Sequence, residues 1–479
     1  MSLLLNQISK KIVLKKIIYI IPFILLAWLA SYLTSCKKDI LFSKDKLSFS
    51  TDTVLFDTVF TTVGSTTKKL KIYNTANQPI KVKSVILAGG ESSPYRVNLD
   101  GISGTIFKDF EIPANDSLFM FVEVTLGENN INDPLIIEDV IEFETNGKMQ
   151  SVQLAAWGQD AYFHYQDLNE GIWPNDKPHV IYDYALIDSA KSLTIQAGTK
   201  IHMHKGAILF VNKGELHIEG DFDNKVIIEG DRLEPFYQDV KGQYYGVYFN
   251  QALPSTIDNA IIKNGTAGVH IFGNNPSNSG YTVEITNSEI SNHSSYGIFN
   301  YSGGKVKGEN LNIHSNGIYA YFLLEGGNHN FNHSQFLSYG SDGNQPAVAI
   351  KNYFTREDNL TYIGDVGEGV FTNSIIFGGG DFQIAYDTIT DNGAVSIDIN
   401  YNTNFINQLD IPSHSGFVNN VWNTNPNFEN VIEKEFIIKN SSLCKDAANM
   451  GILMIPGNNV DITGKSRSGV FDIGAYELD

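Results

Sequence analysis

An asparagine-rich motif that recurs through the middle of the chain constrains the fold more than any other feature. Its copies align without gaps, and the last apolar residues of the first four follow at intervals of 28, 23 and 23 residues. A fifth copy ends 40 residues later, which leaves room for either an insertion or one extra turn. The five copies are Asp258–Ile262, Thr286–Ile290, Glu309–Ile313, Asn332–Phe336 and Thr372–Ile376.

A repeat of about 20–30 residues with short apolar runs and Asn/Gly corners is typical of a solenoid. A leucine-rich repeat would need a leucine framework, which this segment lacks. A right-handed parallel β-helix needs short strands, tight corners and β-branched residues pointing inward, and asparagines stacked at its corners can hydrogen-bond between coils. The repeats therefore predict such a β-helix over residues 166–435, with 436–479 as its closing segment. The alternative is an ordinary antiparallel β protein with chance similarity between segments.

The preceding segment, residues 47–165, shows a different pattern. Apolar residues alternate with polar ones, as in Leu118–Leu126 and Val152–Ala156, and turn signals such as Asp100-Gly101 and Asn146-Gly147 separate the runs. Alternation at period 2 indicates strands with one buried face. Several short strands of this kind predict a β-sandwich. The chain is thus expected to be all-β, with a sandwich followed by a solenoid.

The N-terminus carries an export signal. Four lysines between Lys10 and Lys16 precede the mostly apolar run Ile17–Ala30, and Leu33-Thr34-Ser35-Cys36 follows it. A basic flank, a short apolar centre and a small-residue exit are typical of a signal peptide. Cysteine at the exit makes it a lipoprotein signal, so residues 1–35 are expected to be removed and Cys36 to carry lipid. The alternative is an uncleaved transmembrane anchor. Residues 36–46 would form a tether.

Charge and cysteine content limit the partners. The chain has 53 acidic against 34 basic residues, a formal net charge of −19, which argues against nucleic acid because phosphate binding needs basic surface. It also argues against attachment to anionic lipid through protein charge, so the lipid on Cys36 must hold the protein at the membrane. Cys444 is the only other cysteine. With Cys36 acylated, Cys444 is expected to be a buried structural thiol.

Several stretches resemble known families. Leu193–Ile201 and Gly214–Gly220 resemble the opening coils of the pectin-lyase-like superfamily, and Asp472–Glu477 resembles the ending of bacterial β-helix surface proteins. Asp57–Ser65 resembles the first strands of immunoglobulin-like domains in surface lipoproteins of the Bacteroidota, and Lys37-Lys38-Asp39 resembles their export tags. These resemblances imply an immunoglobulin-like sandwich and an outer-membrane lipoprotein facing the cell exterior, with retention in the periplasm as the alternative. They imply no single activity, because the superfamily includes lyases, hydrolases and adhesins.

A lyase of this fold would need a base and a cation that neutralises a uronate carboxylate. The loop Gly230–Gly242 offers Asp231, Arg232 and Lys241 as candidate catalytic residues, and Ca²⁺ could replace the basic residue as the cation. The alternative for Asp231 and Arg232 is a local salt bridge, and for Lys241 a solvated turn. A hydrolase would need paired carboxylates. Asp365, Glu368 and Asp381 are acids that an inserted loop could bring together.

Aromatic residues make up 12% of the chain and suggest a glycan-binding face. Tyr237, Tyr244 and Tyr245 cluster near the same loop and are candidate ligand-binding residues. Tyr319 and Tyr321, two residues apart, are expected to share one face of a strand.

His202 and His204 have a spacing that could bind zinc with a third ligand, although a pair of surface or stacked histidines is the simpler interpretation. We therefore expect neither a metal site nor a cofactor. The sequence favours a non-catalytic, lipid-anchored envelope protein that binds a polysaccharide or another surface protein. A polysaccharide lyase or hydrolase, and a structural or assembly protein of the envelope, are the alternatives.

Overall fold

The computed structural model describes residues 41–60, 64–127, 135–277, 280–342, 345–357, 359–390 and 395–478. The predicted signal peptide, Cys36 and most of the tether lie outside these ranges. The chain divides into two compact units, with the main boundary between Ala155 and Ala156. Within the described ranges, no helix has the length and apolar content needed to cross a bilayer.

The first unit is built on two five-stranded sheets with antiparallel pairings such as Ile80–Leu87 with Ile106–Ile112. Its short 3₁₀ helix is Gly90–Ser92. The strands of one sheet are Ser48–Phe49, Lys68–Asn74, Asp116–Val124, Tyr95–Leu99 and Ile102–Ser103, and those of the other are Thr53–Phe60, Lys148–Gln159, Leu135–Thr145, Ile80–Leu87 and Ile106–Ile112.

The two sheets bury their facing side chains against each other. The rings of Phe49 and Phe143 lie 4.7 Å apart between centroids, and those of Phe56 and Tyr95 lie 5.9 Å apart, so each pair joins one sheet to the other. Met120, Val122 and Val124 are buried, as the alternation predicted, while Leu118 at the start of the strand is only partly buried. This is a β-sandwich; its immunoglobulin-like topology stays a prediction.

The second unit is a parallel β-helix, which confirms the predicted fold class. The coils build three faces, named A, B and C; most coils contribute a strand to each, and equivalent strands pair in parallel from coil to coil. Strand Tyr162–Leu168 pairs with His179–Ile187, which in turn pairs with the first strands of faces A and B.

Face A consists of Lys200–Met203, Val226–Gly230, Ala260–Lys263, Glu289–Ser291, Asn312–His314, Gln335–Leu337, Ile375–Phe377, Phe405–Ile406 and Val421–Trp422. Face B consists of Ile208–Asn212, Gly246–Asn250, Ala267–Phe272, Tyr296–Tyr301, Tyr319–Leu324, Val348–Lys351 and Ile384–Asp387. Face C consists of Gly171–Trp173, Ser192–Gln196, Glu215–Glu219, Ser255–Asp258, Val283–Thr286, Gly304–Glu309, Gly327–Asn332, Val366–Thr372, Ile397–Asn402 and Phe417–Val418.

The repeated motif forms in-register rungs of face A. Ile262, Ile290, Ile313, Phe336 and Ile376 are each paired with the next and are fully buried in the core. The 40-residue interval therefore contains an insertion and no extra coil. Part of it is a hairpin of Tyr353–Thr355 with Thr361–Ile363.

At the corner between faces C and A, one residue of the motif adopts a backbone conformation in the left-handed region of φ/ψ space. Asn287 has φ 52° and Asn310 φ 53°, a conformation that asparagine tolerates better than most residues. The amide of Asn310 donates to Oδ1 of Asn287 at 3.0 Å, and Asn287 donates to Asp258 Oδ1 at 3.0 Å. These bonds confirm the predicted ladder of stacked corner side chains.

The C-terminal strap, residues 440–478, follows a hairpin of Phe428–Asn430 with Glu435–Ile438 and lies along this corner. Lys225 Nζ donates to Ile462 O at 3.2 Å, and the Gly474 N–H donates to Asn373 O at 2.9 Å. Its position differs from the one expected for a closing segment. These bonds fasten it to the flank of the middle coils, because the corner backbone and amides offer free hydrogen-bonding groups there.

Candidate ligand-binding surface

The three candidate catalytic residues have separate partners. Asp231 Oδ2 lies 2.6 Å from Nδ1 of His204. Arg232 donates twice to the carboxylate of Glu234, at 2.9 and 3.1 Å, and its guanidinium lies 4.0 Å from the centre of the Tyr237 ring. The Glu234 carboxylate raises the pKa of Arg232. The salt bridge in this loop is therefore between Arg232 and Glu234, and not between Asp231 and Arg232.

Lys241 fastens its loop to another loop. Its ammonium donates to Gly340 O at 2.8 Å, across 99 residues of sequence. Partial burial lowers its pKa from the usual value. Nearby, Asp239 pairs with Lys434 at 2.7 Å. Each charged group of the loop is thus engaged in a contact, and those of Asp231, Asp239 and Lys241 join the loop to other segments.

The candidate ligand-binding tyrosines divide into three kinds. Tyr244 is fully buried and donates to Lys263 O at 2.8 Å, so its assignment as a ligand-binding residue is wrong. Tyr244 lies directly before the face B strand, and its ring packs in the core of the β-helix. Tyr237 packs on Arg232 within the loop. Tyr245 lies at the edge of face B and is partly exposed.

The expectation for Tyr319 and Tyr321 is also wrong. Tyr296 pairs with Tyr319 and Ile298 pairs with Tyr321, but Tyr319 is partly exposed whereas Tyr321 is buried among Phe331 and its neighbours. Successive buried residues at 320 and 321 break the alternation where the strand leaves the corner.

The histidine pair and the carboxylates form no centre. His202 is buried, with Nδ1 3.8 Å from Glu229, and across the described ranges no three His, Cys, Asp or Glu side chains are placed to hold a metal. Glu368 accepts from the Tyr281 hydroxyl at 2.8 Å, while Asp365 accepts from the Ser396 N–H at 2.8 Å.

A row of aromatic rings runs along the outside of face B. Phe210 stacks on Tyr248, Tyr248 on His270, His270 on Phe299, and Phe299 on Phe322, with centroids 5.1, 4.5, 4.6 and 5.3 Å apart. The residues occupy equivalent positions on five successive coils. Because the rings stack from coil to coil, they cover one another's faces; Phe210, Tyr248, Phe299 and Phe322 are left partly exposed, whereas His270 is buried.

Further aromatic residues flank this row, and together they form what we call the aromatic surface. Tyr296 and Tyr319 stack with centroids 6.0 Å apart on one side. On the other side, Phe272 contacts Tyr301, which reaches Phe354 of the hairpin at 6.4 Å. The aromatic surface comprises Phe210, Tyr245, Tyr248, His270, Phe272, Tyr296, Phe299, Tyr301, Tyr319 and Phe322.

No residue of the aromatic surface is Asp, Glu, Lys or Arg, and at one edge Tyr301 interacts with the ion pair between Glu325 and Arg356. The five strands of the surface contain no Asp, Glu, Lys or Arg. The hydroxyl of Tyr245 lies 2.5 Å from Nδ1 of His270. Burial lowers the pKa of His270 to about 4 and raises that of Tyr245 to about 12, so both are neutral at pH 7. In an acidic protein this is a large uncharged area.

The aromatic row was missed because its members are spread along the chain. Intervals of 38, 22, 29 and 23 residues separate them, and none of the five lies in the recurring motif. An alignment of the strand that follows each motif copy could have found them, since each coil places a ring at the same outward position.

Comparisons with known proteins add little. No known protein family and no curated protein matches this chain. Among solved structures, the Agl-KA catalytic domain aligns at 10% identity and TM-score 0.26, over 74% of this chain and 79% of that one. The catalytic unit of a GH87 α-1,3-glucanase from Streptomyces thermodiastaticus aligns at 10% identity and TM-score 0.26, over 74% and 89%.

A family 123 glycoside hydrolase from Clostridium perfringens aligns at 9% identity and TM-score 0.18, over 25% of this chain and only 30% of that one. Superpositions at these scores carry no functional argument.

Proposed function

We propose that this protein is a lipid-anchored protein of the cell envelope that binds an uncharged polysaccharide along its aromatic surface. The observation that carries the proposal is the continuous row of stacked rings on five coils whose strands contain no Asp, Glu, Lys or Arg; four of the five rings are partly exposed, and His270 between them is buried.

The chemistry of the surface fits a neutral glycan. The partly exposed rings supply apolar contact area for sugar C–H groups, and the hydroxyls of Tyr248 and Tyr319 supply hydrogen bonds. The net charge of −19 would repel a polyanion, and no basic residue on the five strands would offset that repulsion. A long surface with one sugar-sized contact per coil favours a polymer over a single sugar.

The glycan proposal is tested with the full chain in detergent micelles. Neutral polysaccharides (cellulose, mannan, starch and β-1,3-glucan) and the anionic pectate and alginate serve as probes in pull-down assays. Binding to at least one neutral polymer is expected, and Tyr248→Ala with Phe299→Ala should weaken it by about tenfold or more.

The matched control is Tyr165→Ala, which removes a tyrosine that is 67% exposed outside the aromatic surface. Tyr248→Phe keeps the stacked ring and tests the hydroxyl separately. Binding that is absent for every neutral probe, or equal in the double variant and the control, would refute the proposal.

The anchor is tested at Cys36. Metabolic labelling with a radioactive fatty acid should mark the protein, and Cys36→Ser should abolish the label and move the protein to the soluble fraction. Protease accessibility on intact cells then tests the proposed position on the cell exterior. A labelled Cys36→Ser variant would contradict lipidation at this residue.

The enzyme alternatives stay predictions. Asp231, Arg232 and Lys241 each have a different partner, so no described contact unites them into one catalytic set. A lyase would form unsaturated uronates that absorb in the ultraviolet. Cleavage of pectate or alginate that Lys241→Ala abolishes would establish the lyase in place of the binding function.

A further inference from the structure

Face C carries a cleft away from the aromatic surface. Its volume is about 310 Å³, its floor is formed by outward residues of four successive coils, and its wall is formed by Ile452 and Leu453 of the C-terminal strap. No sequence motif pointed to it.

The floor is a grid of polar side chains. Lys307, Asn330 and Asn400 lie in one row, with Val370 between the two asparagines. Asn402 lies in the row beside them. Neighbouring strands are about 4.8 Å apart, so successive side chains are spaced on the scale of a sugar ring.

Part of this floor is held rigid by the protein. Asn330 Nδ2 donates to Glu368 Oε1 at 2.7 Å. In the second row, Asn332 Oδ1 accepts from Thr372 Oγ1 at 3.0 Å, and Asn332 Nδ2 donates to Glu309 Oε2 at 3.2 Å. The side chains of Asn330 and Asn332 are therefore oriented before a ligand binds, so binding costs little entropy for ordering them.

Other groups of the floor are open to a ligand. Among the residues that the structure describes, the exposed side chain of Asn400 makes no hydrogen bond, and Asn402 uses only its Oδ1, which accepts from Thr403 at 2.8 Å. Lys307 forms no ion pair with any described carboxylate. Donors and acceptors thus face the same cleft.

The wall is apolar and fixed in place. Leu453 is 90% exposed, although the strap around it is fastened to the floor. Glu309, which is buried, accepts from the Ile455 N–H at 3.0 Å and from Asn458 Nδ2 at 2.6 Å. Burial raises the pKa of Glu309. A polar floor beside an apolar wall matches a sugar, which has hydroxyl groups at its rim and C–H groups on its faces.

We propose that this cleft is a second carbohydrate site, which binds one or two residues of an uncharged saccharide. The sugar hydroxyls bond to the amides of Asn400 and Asn402, and its apolar face lies on Leu453. The inference rests on the proposed function for the class of ligand, and it assigns short saccharides to the cleft and long chains to the aromatic surface.

The test measures binding of cellobiose, maltose, lactose and mannobiose to the full chain in detergent micelles by titration calorimetry. Asn400→Ala, Asn402→Ala and Leu453→Ser should each weaken disaccharide binding by about three- to tenfold. Asn328→Ala is the matched control, because Asn328 lies on the same face outside the cleft. Circular dichroism verifies that each variant is folded.

Substitutions should abolish binding at the cleft and at the aromatic surface independently of each other. Tyr248→Ala should leave disaccharide binding unchanged while it weakens polysaccharide binding. Disaccharide binding that is lost in Tyr248→Ala and kept in Asn400→Ala would overturn the cleft and leave the proposed function intact. Absence of binding for all four disaccharides would also overturn the cleft.

Discussion

Arg467 and Glu477 form a buried ion pair within the C-terminal strap, with 2.9 Å between Nη1 and Oε2. The same guanidinium donates to Asn310 Oδ1 at 3.0 Å and to Gly474 O at 2.9 Å. Burial lowers the pKa of Arg467 and raises that of Glu477, because it disfavours the charged form of each group. The ion pair and the hydrogen bonds to Asn310 and Gly474 offset that cost. Through Arg467 the strap is joined to a corner of the β-helix.

Substitution of Arg467 should therefore lower the free energy of unfolding substantially. Arg467→Met leaves Glu477 buried without its partner, and we expect a loss of about 3–5 kcal/mol in the free energy of unfolding. Urea unfolding followed by circular dichroism measures it. The control is Lys351→Met, which breaks a more exposed pair with Asp387 and should cost at most about 1 kcal/mol. Equal losses in the two variants would contradict the role given to Arg467.

Replacement of Asn310 by glycine should destabilise the protein less than replacement by alanine. Both substitutions remove the bonds from its amide to Asn287 Oδ1 and to Val460 O at 2.7 Å. Only alanine also bears the strain of φ 53°, so Asn310→Ala should be less stable than Asn310→Gly by about 1–2 kcal/mol.

The comparison is made by urea unfolding, with Asn328 as the reference position. Asn328 lies within a strand at ordinary φ, where glycine should be the less stable replacement. The same order at both positions would show that the corner conformation does not matter.

His329 should make the protein sensitive to acid. It is buried against Tyr321 and Phe371, and neither ring nitrogen has a hydrogen-bond partner in the described structure. Burial lowers its pKa to about 3, below the value of about 6.5 in an unfolded chain. As pH falls between these values, only the unfolded chain binds a proton there, so stability decreases.

His329→Phe removes this proton linkage. At pH 7.5 the variant should be at least as stable as the unsubstituted protein. Its free energy of unfolding should exceed that of the unsubstituted protein by roughly 2–3 kcal/mol more at pH 4.5 than at pH 7.5, at about 1.4 kcal/mol per pKa unit. Urea unfolding at the two pH values measures the difference. His204→Gln, at a half-exposed position, serves as the control. An advantage that is equal at both pH values would refute the linkage.

Cys444 should be unreactive in the folded protein. It is fully buried, and burial raises its pKa to about 12. In a Cys36→Ser background it is the only thiol, so iodoacetamide at pH 8 should label the protein only after unfolding in urea. Adding Arg467→Met should speed labelling, because Cys444 lies in the strap. Rapid labelling of the native chain would contradict its burial.

Much of the β-helix could be predicted because its coils repeat. The inward residues of face A share one register, as Ile262, Ile290 and Ile313 show. At the corner, the side-chain amides of Asn310 and Asn287 are hydrogen-bonded from one coil to the next. The strap could not be predicted in the same way. Arg467 meets Asn310 across 157 residues, and no periodicity indicates such a contact.

The site was harder to predict than the fold. Tyr244 and Tyr245 are neighbours in sequence, yet one enters the core and the other borders the aromatic surface, because the strand begins directly after a loop. The polar cleft is lined by Asn400 and by Leu453, which comes from a distant segment of the chain. Composition indicated abundant aromatic residues, and only the register showed which of them align.

The strap has a consequence for the order of synthesis. In a simple solenoid each coil touches only its neighbours, so the ends can fray one coil at a time. Here Lys225 is joined to Ile462, which lies 237 residues later in the chain and therefore emerges later, both from the ribosome and on export. The coils can therefore assemble before their fastening exists, and a prematurely terminated chain would carry complete coils that proteases can open from the end.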